Sequence, residues 1–410
     1  MLIATAVSGG LMSLVHNSAG RIGKDQYGLF TALLDTLLLL SIPAGGVQGV
    51  FAQMSASAVT ESQRRDLRAA VFGVLRASLG LGAVLGVVLV LGQGGLMRAW
   101  KSDGTAILWM TLATAMTWLW SPVFAGVLQG RQDFFWLGNL SMMSGFSRLT
   151  AVTLAVVVGG SMATGAMAGV LAGSLITLVI AAWVLRGVLC GEGGGVFDLV
   201  GWVKRLLPMT FGLAAGSVML SFDTPFMRGA LDSANLGAMD LYAAAGRIGR
   251  ALVMFTMPMS LVLFPRVARS AATGEDTGVL RLALGATLGT GLMAALACTL
   301  MPELPLRILY AGQPGFLRAS PLVPWFAWSM LPLTAAYTLV NSLVARGRFA
   351  AVPWLVAVAL GYVAALFLQR AHLGRVPPME AFRQVLLTLG FFSTLLLAVA
   401  AFFSMRPAPR

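Results

Sequence analysis

Two arginines, Arg247 and Arg250, stand inside an apolar run that continues to Phe264. A spacing of three residues puts both on one face of a helix. An arginine at the centre of a bilayer costs from about 2.5 to over 10 kcal/mol, depending on its surroundings. That face must therefore meet a water-filled cavity or carboxylates on neighbouring helices. Arg148, in NLSMMSGFSRLTAV, poses the same problem, with Ser141 and Ser144 on its face and Gly145 alongside. Guanidinium groups in a cavity would make an anion site, because they stay charged and present paired donors. Asp35 and Asp223 are the acids well inside apolar segments. They are candidates for coupling to H+ or Na+, and equally candidates for ion pairs with the arginines; both readings stay open. Arg76 is nearer the end of its segment, where a long side chain snorkels to the interface.

The elements that position these groups are membrane helices. The chain has 410 residues, of which 58% are hydrophobic and 10% charged, whereas soluble domains carry about 25% charged residues. Its mean hydropathy is +0.85. The net charge of +13 is spread singly between apolar segments, so no basic run tracks a nucleic-acid backbone. Cys190 and Cys298, like His16 and His372, lie too far apart to suggest a metal site or a disulfide. There is no phosphate-binding G-x-x-x-x-G-K-[ST], no H-E-x-x-H and no nucleophile elbow, so neither an enzyme nor a cofactor is expected.

A span needs about 20 mostly apolar residues. Such segments fall at 1–18, 27–52, 70–92, 106–128, 134–158, 165–188, 206–227, 241–264, 280–301, 321–345, 350–369 and 382–404. The first lacks a preceding basic stretch, which argues against a cleaved signal peptide. The expected fold is all-α and integral to the membrane, with about 12 transmembrane helices in two six-helix bundles related by a pseudo-twofold axis along the membrane normal. The halves are 1–188 and 206–404, joined by a linker at 189–205 and followed by a short basic tail at 405–410. Within the linker, Gly193, Gly194 and Gly195 read as a flexible joint, and Phe197, Val200 and Trp202 followed by Lys204 and Arg205 as an interfacial segment. Loops after the even-numbered spans carry more Lys and Arg than the opposite loops, which places both termini in the cytoplasm.

One offset lays Tyr27 on Tyr242, Pro43 on Pro258 and Ser55 on Ser270, and supports the two-half division. It also sets Asp35 opposite Arg250, so the halves are electrostatically unequal. Pro43 and Pro258 each free the carbonyl four residues earlier, at Leu39 and Met254, and are the expected kinks or hinges. The spacings Gly82/Gly86, Gly165/Gly169/Gly173 and Gly285/Gly289 predict close helix packing.

The chain resembles the polysaccharide exporters of the multidrug/oligosaccharidyl-lipid/polysaccharide (MOP) flippase superfamily along essentially its whole length. The similarity lies in GRIGKDQYGLF (Gly20–Phe30), FDTPFM (Phe222–Met227), LYAAAGRIGRAL (Leu241–Leu252), FPRVARSA (Phe264–Ala271) and SLVARGRF (Ser342–Phe349). The resemblance implies two bundles around a cation-lined cavity, alternating access, and a lipid-linked oligosaccharide carried on undecaprenyl pyrophosphate across the bacterial inner membrane. It implies membrane lipids and the polysaccharide assembly machinery as partners. By matching position it assigns Arg21 and Arg247 to the lipid pyrophosphate; Arg148 and Arg250, from their place inside apolar spans, are read as further cavity cations. Gln53 departs from the pattern, since many relatives carry a basic residue there. The competing expectation is a multidrug and toxin extruder of the same superfamily, which would need acidic groups in its cavity. Here cations inside spans outnumber acids.

Overall fold

Apolar runs and their Pro and Gly punctuation become helices almost one for one in the computed structural model. It describes residues 2–405 apart from 24, 103, 159–161, 191–194, 196, 255–278 and 346–347. All regular structure among the described residues is helical, and the chain divides into two units, Met1–Thr210 and Phe211–Arg410. Seven described helices are long and apolar enough to cross a membrane, or eight if one bent pair counts as a single span. The protein is a multi-pass, all-α membrane protein.

The first unit contains α1 (Leu2–Ala19), α2 (Gln26–Leu40), α3 (Ala44–Ser57), α4 (Glu61–Trp100), α5 (Ala106–Gly130), α6 (Phe134–Val158), α7 (Ala163–Val184) and α8 (Arg186–Leu189). It closes with the first half of α9 (Leu199–Ser221). Pro43 separates α2 from α3, and the two helices meet at a bend of 42°. The carbonyl of Leu39, which Pro43 leaves without its usual donor, is taken up by the Ile42 amide at 3.3 Å in a tightened turn. The kink is thus self-satisfied within its own turn. Its partner Pro258 lies outside the described residues.

Helix α4 is much longer than the 70–92 run that hydropathy marks. Its 40 residues span about 60 Å at 1.5 Å per residue, twice a hydrocarbon core of about 30 Å. Thr60 and Gln63 form a capping box at its start, and Arg68 meets Glu61 at 2.6 Å. No proline interrupts it, so polar first turns simply continue the helix beyond the apolar part. The expected interfacial segment is also part of a helix, because Trp202 and Lys204 fall within α9. Trp202 packs its ring 6.3 Å from Phe51 and 6.4 Å from Phe197. Phe197 in turn covers Gly73 of α4. Gly195 runs against the Arg65 backbone; Gly193 and Gly194 lie outside the described residues.

The second unit continues from α9 into α10 (Asp223–Ala230), a helix at residues 237–254 (α11), α12 (Val279–Leu300), α13 (Glu303–Leu309), α14 (Val323–Ala345), α15 (Val352–Leu373) and α16 (Pro378–Met405). Helix α14 packs on α12 and α16, and α15 on α16.

Small residues set the closest helix approaches in the first unit. A Cβ on Gly169 would stand 2.6 Å from Val152 Cα, and one on Gly173 2.6 Å from Arg148 Cα, so α6 and α7 touch backbone to backbone. Gly126 similarly admits the Gln48 carbonyl of α3 against α5. Gly82 and Gly86 face Met116 and Trp109 side chains, whereas no described atom lies within 4 Å of a Cβ at Gly285 or Gly289. The Gly285/Gly289 spacing therefore does not report a close helix contact among the described residues.

Gly173→Ala should lower the melting temperature of the detergent-purified protein, since overpacking at a backbone contact costs about 1–3 kcal/mol. Gly80→Ala, with no described atom within 4 Å of its Cβ, should be neutral or slightly stabilising, because alanine favours helix by up to about 1 kcal/mol. Differential scanning fluorimetry of the two variants checks this.

Candidate functional site: the intramembrane arginines

The most tightly built polar cluster begins with a broken helix. The run SFDTPF is interrupted at Phe222, where α9 ends and α10 begins, three residues before Pro225. Carbonyls in the last turn of a helix have no amide partner within it, and inside a membrane they need one from elsewhere. Arg250 of α11 supplies it. Its Nε donates to the Leu220 carbonyl at 2.7 Å, and its Nη2 donates to Asp223 Oδ1 at 2.5 Å and to Thr224 Oγ1 at 2.7 Å. The other carboxylate oxygen accepts from the Tyr242 hydroxyl at 2.6 Å. Tyr242 and Arg250 are eight residues apart, two turns along the same face of α11, so one helix clamps the carboxylate at both oxygens.

This cluster is dry. Asp223, Thr224 and Tyr242 are fully buried and Arg250 is 3% exposed. Tyr242 is packed 4.9 Å from Phe326 and 4.7 Å from Phe382, ring to ring. Glycines make the space: a Cβ on Gly246 would stand 2.6 Å from Arg250 Nη1, and one on Gly249 2.8 Å from Phe326 Cβ. Arg250 and Asp223 are thus partners in a buried ion pair, as one of the two open readings for these residues had it. The broken helix brings Asp223 beside the carbonyl that Arg250 serves.

Arg247 does not share that environment. It is half-buried while Arg250 is enclosed, although both lie on nearly the same helical face. Arg228, which the sequence places at the end of a span, is 1% exposed in the last turn of α10. It is a further buried cation that hydropathy alone did not mark.

In the first unit Arg148 sits near the middle of α6. Its guanidinium carbon lies 5.0 Å from the Trp118 ring centroid on α5, and that indole donates to Ser174 Oγ of α7 at 3.3 Å. Its Nε is buried and has no hydrogen-bond acceptor, and no carboxylate pairs with the group among the described residues. The polar stripe expected from Ser141 and Ser144 is made by Ser147 instead, which donates to the Gly173 carbonyl at 2.9 Å and lies 3.1 Å from Thr177 Oγ1. Ser141 turns back to the Leu137 carbonyl of its own helix. Trp118 was legible only as an aromatic on a helix; its role as the platform for Arg148 depends on how α5, α6 and α7 pack. Asp35 is fully buried on α2, which packs against α5 and α7. Arg21 is exposed in the turn between α1 and α2, its amide donating to Ser18. Among the described residues no three His, Cys, Asp or Glu side chains converge to hold a metal ion, and Cys190 and Cys298 are free thiols.

No protein-family profile matches the chain, and no curated protein matches it in sequence. Solved structures do match in shape. A MurJ lipid II flippase in an inward closed conformation superposes with a TM-score of 0.74 at 14% identity, over 97% of this chain and 86% of that one. An inward-facing multidrug-resistance MATE transporter of the MOP superfamily gives 0.71 at 12% identity, over 98% and 94%. A MOP superfamily transporter from Pyrococcus furiosus, for which a reverse polarity of the binding pocket suggests a different function, gives 0.67 at 12%, over 98% and 94%. The chain has their fold. At these identities the likeness concerns architecture, and all three structures are of membrane transporters or flippases.

Removing Arg250 strands a buried carboxylate and a helix-end carbonyl. Arg250→Met should destabilise the protein by about 3–5 kcal/mol, and Asp223→Leu should do likewise through the stranded guanidinium. The double variant should recover much of the loss. A double-mutant cycle on thermal unfolding measures this, and additive losses would mean the two side chains are not coupled.

Proposed function

We propose that the protein is an alternating-access flippase for an anionic lipid-linked oligosaccharide, of the undecaprenyl-pyrophosphate-linked O-antigen or exopolysaccharide type, in a bacterial inner membrane with both termini cytoplasmic. The observation that carries the reading is Arg148. A cation inside a span costs from about 2.5 to over 10 kcal/mol, while a desolvated cation–π contact returns about 2 kcal/mol. Stacking on Trp118 offsets only part of that cost, and a bound anion accounts for the remainder. Arg247, half-buried on α11, is the corresponding candidate in the second unit, and exposed Arg21 is a candidate for first contact with the diphosphate. Arg250 belongs to the scaffold. A diphosphate head cannot cross hydrocarbon unaided, whereas its polyprenyl tail can remain in lipid, so such a carrier needs cationic groups and a route open to the bilayer. No bond is made or broken by the protein. The MurJ structure, a lipid II flippase, supports the lipid-linked class by its shared fold.

The bend at Pro43 is the proposed hinge on the first unit, with Pro258 as its partner by sequence. Asp35, buried on α2, is the proposed site of coupling to H+ or Na+, preferred over Asp223, whose carboxylate pairs with Arg250. Delivery and removal of the glycan fall to the polysaccharide assembly machinery as partner. The second reading, a multidrug extruder coupled to cations, draws on the equally complete match to a MATE transporter. The lack of an acidic partner for Arg148 among the described residues favours the first, since a cationic drug would be repelled there.

In proteoliposomes bearing a fluorescent pyrophosphate-linked polyprenyl sugar, Arg148→Ala should cut flipping at least tenfold, as expected for loss of one charge-assisted contact of about 1.5–3 kcal/mol. Arg148→Lys should retain part of the rate. A wild-type rate in Arg148→Ala would overturn the anion site. Ion-gradient-driven efflux of a cationic dye, without lipid flipping, would establish the second reading.

A further inference from the structure

A second polar site lies where the ends of α10 and α15 meet. The pocket has a volume of about 590 Å³ and is lined by Gly229, Ala230, Asp232, Phe367, Arg370 and Arg375 among others. Gly374 lets the helix ends approach, since a Cβ there would stand 3.3 Å from the Ala230 carbonyl. Helix α15 is a membrane span, so this end of it sits where hydrocarbon gives way to water. Phe367 is 52% exposed and its neighbour Leu368 is 86% exposed, which marks the flank of the pocket as lipid-facing.

The polar groups are of both kinds. Arg370 and Arg375 are exposed, and Arg370 makes one long contact, 3.3 Å to the Gly229 carbonyl. Neither arginine is within ion-pair distance of Asp232 or any other described acid, although the three share one lining. Complementing the negative helix ends would account for the arginines alone. Asp232 stands at the N-cap of the 3-10 turn Ser233–Asn235, but its side chain makes no capping hydrogen bond there, so its carboxylate faces the same lining as the two arginines. We propose that this pocket binds the phosphoethanolamine headgroup of a membrane phospholipid. The two guanidinium groups take the phosphate, Asp232 and the helix-end carbonyls take the ammonium, and the acyl chains run down past Phe367 and Leu368. Phosphocholine has no N–H to donate to Asp232, and phosphoglycerol has no cation to meet it. The pocket therefore discriminates among headgroups that share the same phosphate.

Native mass spectrometry of the full chain, with phosphatidylethanolamine, phosphatidylglycerol and phosphatidylcholine supplied in equal amounts, tests this. Phosphatidylethanolamine adducts should dominate. Asp232→Asn should erase the preference over phosphatidylglycerol, and Arg370→Gln with Arg375→Gln should lower binding of both by about tenfold, the worth of a charge-assisted hydrogen bond. These exposed substitutions should leave the melting temperature unchanged, which separates lost binding from lost fold. Equal binding of the three lipids, a preference for phosphatidylglycerol, or adducts insensitive to the substitutions would overturn the proposal. Full displacement of the lipid by soluble phosphoethanolamine or inorganic phosphate would also overturn it, by showing a site for a soluble anion.

Discussion

In a bilayer a backbone carbonyl cannot turn to water, and the second unit depends on how it meets that constraint at Leu220. The interruption between α9 and α10 leaves helix-end carbonyls in an apolar interior, and a single side chain, Arg250, is placed to donate to one of them. That guanidinium brings a charge which itself needs a partner, and Asp223, the first residue of α10, provides it. Tyr242 then occupies the second carboxylate oxygen, and Phe326 and Phe382 enclose Tyr242. Each group is present because the one before it would otherwise be unsatisfied. Pairs of this sort rarely add much net stability over an apolar core, but losing one member is costly. The cluster therefore fixes where α11 sits against the broken helix.

The first unit answers its own intramembrane cation differently. Arg148 has an indole face and a backbone-close neighbour helix, but no carboxylate among the described residues. A π face attracts a cation without neutralising it, so Arg148 keeps the capacity to bind an anion that Arg250 has already given to Asp223. Two arginines that look alike by hydropathy thus meet different partners, one a buried carboxylate and one an indole face. The difference, among the described residues, is a buried acid within reach of one and not of the other.

The apolar runs carried most of the fold. A run of about 20 apolar residues can only be a membrane helix, because nothing else satisfies its backbone there, and the 134–158 segment coincides with α6 for that reason. Pro43 placed the bend of α2 and α3 because a missing amide acts locally. Sequence was less informative wherever polar residues extend a helix past the membrane, as in the first turns of α4, or where a glycine spacing has no helix against it among the described residues, as at Gly285 and Gly289. Pro258 lies beyond the described residues.

Composition and spacing by themselves determined that this is a many-helix membrane protein with cations in its interior, since burying charge in lipid has a cost that any sequence must answer. Which arginine is answered by which group was decided only by tertiary structure. Arg250 and Asp223 are 27 residues apart and on different helices, and Arg148 meets Trp118 across a helix pair. Hydrogen bonds and cation–π contacts act over a few ångströms in space, and that distance is set by packing, not by position along the chain.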